Sequence, residues 1–222
     1  MLAHPALALA VLLAAASGCE PGGAAPPDLP VYRGDFAPVD DGAADPAFAA
    51  LREHLLGVVA RRDTAALLAL VAPGARVAFD GGRGGADAFR RLWFSGSPPS
   101  GAPVWSVLGA VLGAGSVEED GAFTVPFVSG LWPSDLDPFA HVAVVGQDVP
   151  VLDAPGGAPV ALVSEIVLPV LAPPLDGWWQ VGLPGGAAGF VPTGEAISPV
   201  GYRATFWDDG DGLRLQSFLG GD

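Results

Sequence analysis

Residues 178–191 read WWQVGLPGGAAGFV, two short β-runs separated by a Pro/Gly turn. Successive side chains of a strand face opposite ways. Val181 is a core residue type, so Trp179 shares the inward face with it, while Trp178 lies with Gln180 on the other face. Working outward, His141 to Val145, Val149 to Leu152, Val160 to Val163 and Ile166 to Leu171 are further β-runs, followed by Trp178 to Leu183 and Ala188 to Val191. Short strands this closely spaced, with Gly/Pro turns between them, predict a small barrel. The proline-rich stretch Pro169 to Pro174 reads as a turn that would distort the middle strands.

Upstream of Pro138 the pattern changes to helical. Asp45-Pro46 opens a helix, with Asp at the N-cap and Pro at the first helical position. Phe48, Leu51, Leu55 and Val58 recur at helical spacing, and Arg52, Glu53, Arg61 and Arg62 mark the wet side. Asp63 caps a second helix carrying Leu67, Leu68, Leu70 and Val71, which stops before Pro73. Arg76 to Phe79 is a short strand, Gly81 to Gly85 a loop, Ala86 to Phe94 a third helix and Ser95 to Pro103 a linker. Val104 to Leu112 is a fourth helix or a buried apolar segment, which periodicity alone does not decide. Phe123 to Val128 is a strand that Pro126 assigns to a sheet edge.

Downstream of the barrel, Tyr202, Ala204 and Phe206 alternate, Leu213, Leu215 and Phe218 follow, and Asp208-Asp209-Gly210-Asp211-Gly212 turns between them. This is a terminal hairpin. An alternative to its packing on the barrel is that it returns to the N-terminal domain, which makes the barrel an insertion.

Three segments carry a family resemblance: Val149-Pro150-Val151-Leu152-Asp153-Ala154-Pro155, then Trp178-Trp179-Gln180-Val181, then Gly189-Phe190-Val191. Together they resemble a bacterial SH3-like domain: a valine-rich strand, a short loop ending in Pro, a W-x-x-V strand and a closing G-[YF]-V strand. The resemblance runs from Val142 to about Gly194, about a quarter of the chain. It implies a β-barrel and an aromatic surface groove for an extended peptide, a ligand that loses little entropy on docking. Trp178 and Phe190 are the residues it assigns to that groove. The ending of the chain resembles that of envelope proteins carrying the same barrel.

At the other end, Met1 to Cys19 reads MLAHPALALAVLLAAASGC. The apolar run Ala6 to Ala16 is shorter than the roughly 18–20 residues that span a bilayer, and has the length of a signal-peptide core. Ala16-Ser17-Gly18 before Cys19 resembles the lipobox of bacterial lipoproteins, although the leader carries no Lys or Arg and Ala16 stands where Leu is commoner. The resemblance implies cleavage before Cys19 and a lipid on its sulfur. Two or more acyl chains anchor stably where one binds only marginally. Glu20 to Pro30, EPGGAAPPDLP, then reads as an extended tether.

Composition narrows the function. Half the residues are hydrophobic and 15% are charged, a core-forming balance, with 32 Gly and 23 Pro to supply loops. The formal net charge is −14, lysine is absent, and the ten arginines nowhere run longer than Arg61-Arg62 and Arg90-Arg91. A phosphate backbone needs a basic face, so nucleic acid is a poor partner. His4, His54 and His141 have no second His or Cys at metal spacing. Asp208, Asp209 and Asp211 resemble the start of a calcium loop, but Leu219 stands where the bidentate glutamate belongs. The glycine loop lacks the Lys-Ser/Thr end of a P-loop and the spacing of a dinucleotide fingerprint. Glu118-Glu119-Asp120 before Gly121 reads as a turn. The only cysteine is assigned to the lipid, and no G-x-S-x-G elbow is present.

The expectation is an α+β chain: signal peptide 1–18, tether 19–34, a small helical α+β domain 35–138, an SH3-like β-barrel 139–195 and a C-terminal hairpin 196–222. It is a non-enzymatic, lipid-anchored protein of the bacterial envelope facing the periplasm, with no cofactor and no metal. Its partners are the membrane, through Cys19, and peptidoglycan or an envelope-protein peptide at Trp178 and Phe190. The alternatives are an envelope hydrolase using carboxylates of the N-terminal domain, or a purely structural barrel.

Overall fold

The computed structural model describes residues 29–78 and 84–221. Residues 1–18, His4 among them, together with Cys19, Phe79 and Gly81 to Arg83, lie outside the described residues. The chain is mixed α+β, with five helices and two mixed sheets among the described residues.

The chain enters as β1 (Val31–Arg33), which pairs in parallel with a strand far downstream. Two aspartate caps then start helices where the sequence places them. Asp45 accepts the Phe48 N–H at 2.7 Å and starts α1 (Pro46–Arg61). Asp63 accepts the Ala66 N–H at 3.0 Å and starts α2 (Thr64–Ala69). Next come β2 (Val71–Arg76), α3 (Gly85–Phe94), α4 (Val104–Leu112), β3 (Val117–Glu119), β4 (Ala122–Val125) and the single turn α5 (Phe127–Gly130). A run of strands follows: β5 (His141–Val144), β6 (Val149–Leu152), β7 (Pro159–Ser164), β8 (Ile166–Leu175), β9 (Trp178–Gly182), β10 (Ala188–Pro192) and β11 (Ala196–Ile197). The hairpin β12 (Arg203–Asp208) and β13 (Leu213–Leu219) ends the described chain.

One sheet has the order β1-β7-β6-β10-β9-β8-β5-β11 and the other β2-β13-β12-β4-β3. The hairpin joins the second sheet: β12 lies against β4, and β13 lies parallel to β2. Helices cover one face of this sheet. Phe48, Leu55 and Val58 of α1, Phe89 and Trp93 of α3 and Leu108 of α4 pack on Phe123, Val125, Phe206, Leu215 and Phe218. Phe48 stacks on Phe123 with centroids 4.3 Å apart. Strand alternation turns Arg203, Thr205 and Trp207 to the uncovered face, because Ala204 and Phe206 point into the core.

The eight-stranded sheet has its own apolar core. Val142 and Val144 of β5, Val149 and Val151 of β6, Val181 of β9 and Val191 of β10 are buried in one cluster with Ala196 of β11. A third cluster joins the two halves, with Phe127, Val128 and Ala143 at its centre and Phe36, Trp132, Val167 and Ile197 around them.

Four expectations need correction. The tether does not stay unpaired to residue 34, since Arg33 and its neighbours form β1 and Arg33 reaches Asp148 at 3.1 Å. The strand expected at Arg76 to Phe79 begins at Val71 and contains Pro73, and it tolerates the missing N–H because β2 is an edge strand. Pro126 does not make β4 an edge strand, because it falls just after Val125 and ends it, leaving β4 between β12 and β3. Pro169 to Pro174 is not a turn but the body of β8, which takes these prolines by shifting register between Val170 and Ala172 and again before Leu175. Val104 to Leu112, left open by periodicity, is a helix.

A small polar cluster fastens the connection between the halves. Ser116 Oγ accepts the Gly42 N–H at 2.9 Å and donates to Asp40 at 2.7 Å, and Arg52 of α1 closes on the same carboxylate oxygen. The Arg52 guanidinium, with help from the Ser116 hydroxyl, holds Asp40 below the usual carboxylate range despite partial burial. On acidification the unfolded chain therefore takes up this proton first. The stabilisation is complete above the ordinary aspartate range and is lost as pH falls through the folded value. Asp40→Asn should lower the urea midpoint at pH 6, and the gap from wild type should close toward pH 3. A chain ending at Gly201 lacks β12 and β13, and should lose the cooperative unfolding transition of the helix-bearing half, read by near-ultraviolet circular dichroism.

Candidate functional site

Strands β9 and β10 pair so that Trp178 lies opposite Pro192, Gln180 opposite Phe190, and Val181 opposite Gly189. Directly opposed residues share a face. Val181 and Val191 are fully buried, so their face is the core, and Trp179 packs against it. Trp178, Gln180, Phe190 and Pro192 therefore occupy the outer face, with Trp178 and Phe190 diagonal neighbours across the two strands. Leu152 of β6 lies opposite Phe190, and Leu175 of β8 lies opposite Trp178. The result is an apolar stripe across four strands on the side away from the core. Trp178 and Phe190 are half-buried and Leu175 is 73% exposed.

The turn chemistry supports this placement. Asp176 and Gly177 both have positive φ, 50° and 84°, the backbone of a two-residue hairpin turn that matches strand twist. Gly189 is needed for another reason: a Cβ there would collide with Val151 of β6. Trp179 Nε1 is buried with no hydrogen-bond partner among the described residues, so this indole is held by packing.

A second depression, of about 640 Å³, lies at one end of the five-stranded sheet and contains Asp41, Asp45, Glu118, Asp208 and Phe123. Each carboxylate already accepts backbone N–H groups. Asp45 caps α1, Asp41 receives Glu118 N–H at 3.0 Å, Glu118 receives Gly121 N–H at 2.6 Å, and Asp208 receives Gly210 and Gly212 at 2.8 and 2.9 Å. Phe123 is buried under Phe48 and offers no open ring face. Glu118 and Glu119 belong to β3 and only Asp120 and Gly121 make the turn that was expected over Glu118 to Asp120, while Asp208 ends β12 and closes the turn that follows it. No group of three or more His, Cys, Asp or Glu that could hold a metal occurs among the described residues. His54 is exposed on α1, and His141 Nδ1 contacts the Asp137 carbonyl at 2.9 Å.

The last two glycines of the glycine loop have a structural purpose. A Cβ at Gly84 or Gly85 would strike the carbonyl oxygens of Ala75 or Pro73, so both allow α3 to begin against the edge of β2. Carbonyls line that contact, the opposite of an anion cradle.

Sequence reading missed the uncovered face of the five-stranded sheet. Arg76 and Arg203 lie far apart in sequence, and β2, β13 and β12 bring them to one groove with Thr205, Trp207, Gln216 and Ser217. The available signal was the complement of the inward alternation: if Ala204 and Phe206 point in, then Arg203, Thr205 and Trp207 point out.

Among the described residues no helix is long and apolar enough to cross a membrane. Comparison with protein-family models, curated proteins and solved structures gives no match.

The two adjacent tryptophans should separate by stability. Trp179→Ala removes packing from the core and should cost about 2–3 kcal/mol, whereas Trp178→Ala should cost about 1 kcal/mol or less, both read from urea midpoints.

Proposed function

We propose that this chain is a lipid-anchored protein of the bacterial cell envelope, facing the periplasm. On this reading its eight-stranded sheet is an SH3-like barrel, and Trp178 and Phe190 bind an extended peptide or peptidoglycan. The observation that carries it is the outer stripe: alternation removes Trp179, Val181 and Val191 to the core and leaves Trp178, Phe190, Pro192 and Leu152 on an apolar surface. Contiguous apolar surface of this kind marks interaction sites on folded proteins. The barrel reading draws support from the single core, to which strands from β5 to β11 all contribute. The anchor rests on Ala16-Ser17-Gly18-Cys19 and the short apolar run before it.

The acidic depression favours a second reading, an envelope hydrolase working through carboxylates of the helix-bearing half. Its four carboxylates are engaged in caps and turns, so binding is the stronger reading.

Purified sacculi should retain the wild-type protein and release most of Trp178→Ala and Phe190→Ala, both checked for wild-type folding by circular dichroism. Equal retention of all three, or none of any, overturns the wall-binding reading. The membrane-extracted wild type should weigh more than the cleaved chain by the mass of its acyl groups, and Cys19→Ser should lose that mass. An unprocessed, unlipidated wild type overturns the anchor.

A further inference from the structure

Six outward side chains form one apolar row along a rim of the eight-stranded sheet. Val31 of β1 pairs with Leu162 of β7, and Leu162 with Pro150 of β6. The antiparallel step from the Phe190–Leu152 pair brings Pro192 of β10 beside Pro150. Pro192 pairs with Trp178 of β9, and Trp178 with Leu175 of β8. Opposed residues share a face, and the strand neighbours Tyr32, Val151, Val163 and Val191 pack into the core, so the row points away from it. None of the six is charged, and Val31 and Leu175, at its two ends, are 49% and 73% exposed. We propose that residues 21–27 of this same chain, PGGAAPP, dock on this row. The proposal rests on the reading of Trp178 and Phe190 as a docking surface and names its resident occupant.

The point of entry argues for this occupant. The described chain starts at Leu29, and the Pro30 carbonyl accepts the Leu162 N–H at 2.9 Å, which fixes the backbone beside β7. Val31, the next residue, opens both β1 and the row. The row follows the rim at which Leu175 ends β8, Trp178 opens β9 and Pro192 ends β10. The upstream segment therefore begins at one end of the row. Strands β10, β9 and β8 lie two, three and four spacings from β7, about 10, 14 and 19 Å. An extended proline-rich chain advances about 3.1 Å per residue, so residues 21–27 span roughly 9 to 28 Å from Pro30. That is the range in which Pro192, Trp178 and Leu175 lie.

The chemistry agrees with the reach. Residues 21–27 carry no charge, whereas Glu20 and Asp28 on either side are acidic. An uncharged segment meets an uncharged row without desolvating a charge. Its three prolines favour the polyproline conformation, which loses little entropy on docking and is taken up by aromatic-lined surfaces. Attachment to the same chain gives the segment an effective concentration of millimolar order, which a peptide of another molecule lacks. A ligand of the stripe must then displace residues 21–27.

The full chain is made with the photo-crosslinking residue p-benzoylphenylalanine in place of Leu175, irradiated in the producing cells, digested and read by mass spectrometry. Position 175 should join residues 20–28 of the same chain. The product should fall about tenfold in Pro26→Gly/Pro27→Gly and in Trp178→Ala. The same probe in place of Leu56, exposed on α1, should not reach residues 20–28. Absence of a product with residues 20–28 overturns the proposal. So does an undiminished product in either variant, or an equal product from position 56, because each shows the proximity of a tether and not docking. A product of twice the chain mass gives the row to a second copy and overturns the assignment to residues 21–27. The proline variant alters no contact of the described residues, so it decides the matter where Trp178→Ala unfolds. This readout involves no sacculus: loss of wall binding leaves it intact, and its own failure leaves sacculus retention through Trp178 and Phe190 standing.

Discussion

Strand β13 is the element on which the helix-bearing half depends. It is the only sheet partner of β2 among the described residues, and it is one of the two neighbours of β12. Leu215 and Phe218 of β13 lie fully buried among Phe89, Trp93 and Leu108 of α3 and α4. The core assembled from residues 46–125 is therefore closed by side chains of Leu215 and Phe218, far downstream in the sequence. All seven strands from β5 to β11 are threaded between β4 and β12, so the second sheet's own ends must lie close enough for the chain to leave and return. The cluster of Phe36, Phe127, Ala143 and Ile197 sits at that crossing and supplies the apolar contact that fixes it.

This long-range closure also explains what the sequence disclosed and what it withheld. Local signals were legible. Asp45-Pro46 and Asp63 cap helices as their chemistry requires, and the bounds of the β-runs from His141 to Val191 agree within a few residues with β5 to β10. These depend on caps, alternation and turn residues that lie within one element. The parallel pairs β1/β7 and β2/β13 carry no such signature, because each strand is short and its partner is more than 125 residues away. Prolines misled for the same reason. Local chemistry reads Pro169 to Pro174 as a turn, whereas register shifts make room for these prolines within β8. Of the candidate site, the inward or outward direction of Trp178, Trp179 and Phe190 was legible from alternation. Their being diagonal neighbours required the β9/β10 register.

Part of the acidic composition serves the fold directly. Asp45 and Asp63 cap helices, Asp41 and Glu118 fasten the loops around β3, and Asp208 closes the last hairpin. Each places a carboxylate on backbone N–H groups that a short element or turn leaves unpaired, the same satisfaction of orphan donors in several settings. In a chain rich in Gly and Pro, short elements have many ends, and side-chain acceptors at those ends replace the ladder bonds that longer helices and strands supply for themselves. The excess of Asp over basic residues is thus partly a consequence of many turns.

Among the described residues, the outer face of each sheet carries side chains of a different kind. On the eight-stranded sheet the stripe of Leu152, Phe190, Pro192, Trp178 and Leu175 is uncharged. On the five-stranded sheet Arg76, Arg203, Thr205 and Ser217 line a polar, hydroxyl-bearing groove. Burial of apolar area, at about 25 cal/mol per Å², does not weaken as salt is added. Attraction to a guanidinium near the surface is screened over about 8 Å at physiological ionic strength. A partner of the first face would be held by area and shape, and a partner of the second by hydrogen bonds. One ligand would not satisfy both faces, because the apolar surface that suits the first strands polar groups on the second. The alternation of the two sheets therefore leaves unlike side chains outward, aromatic and aliphatic on one and polar on the other.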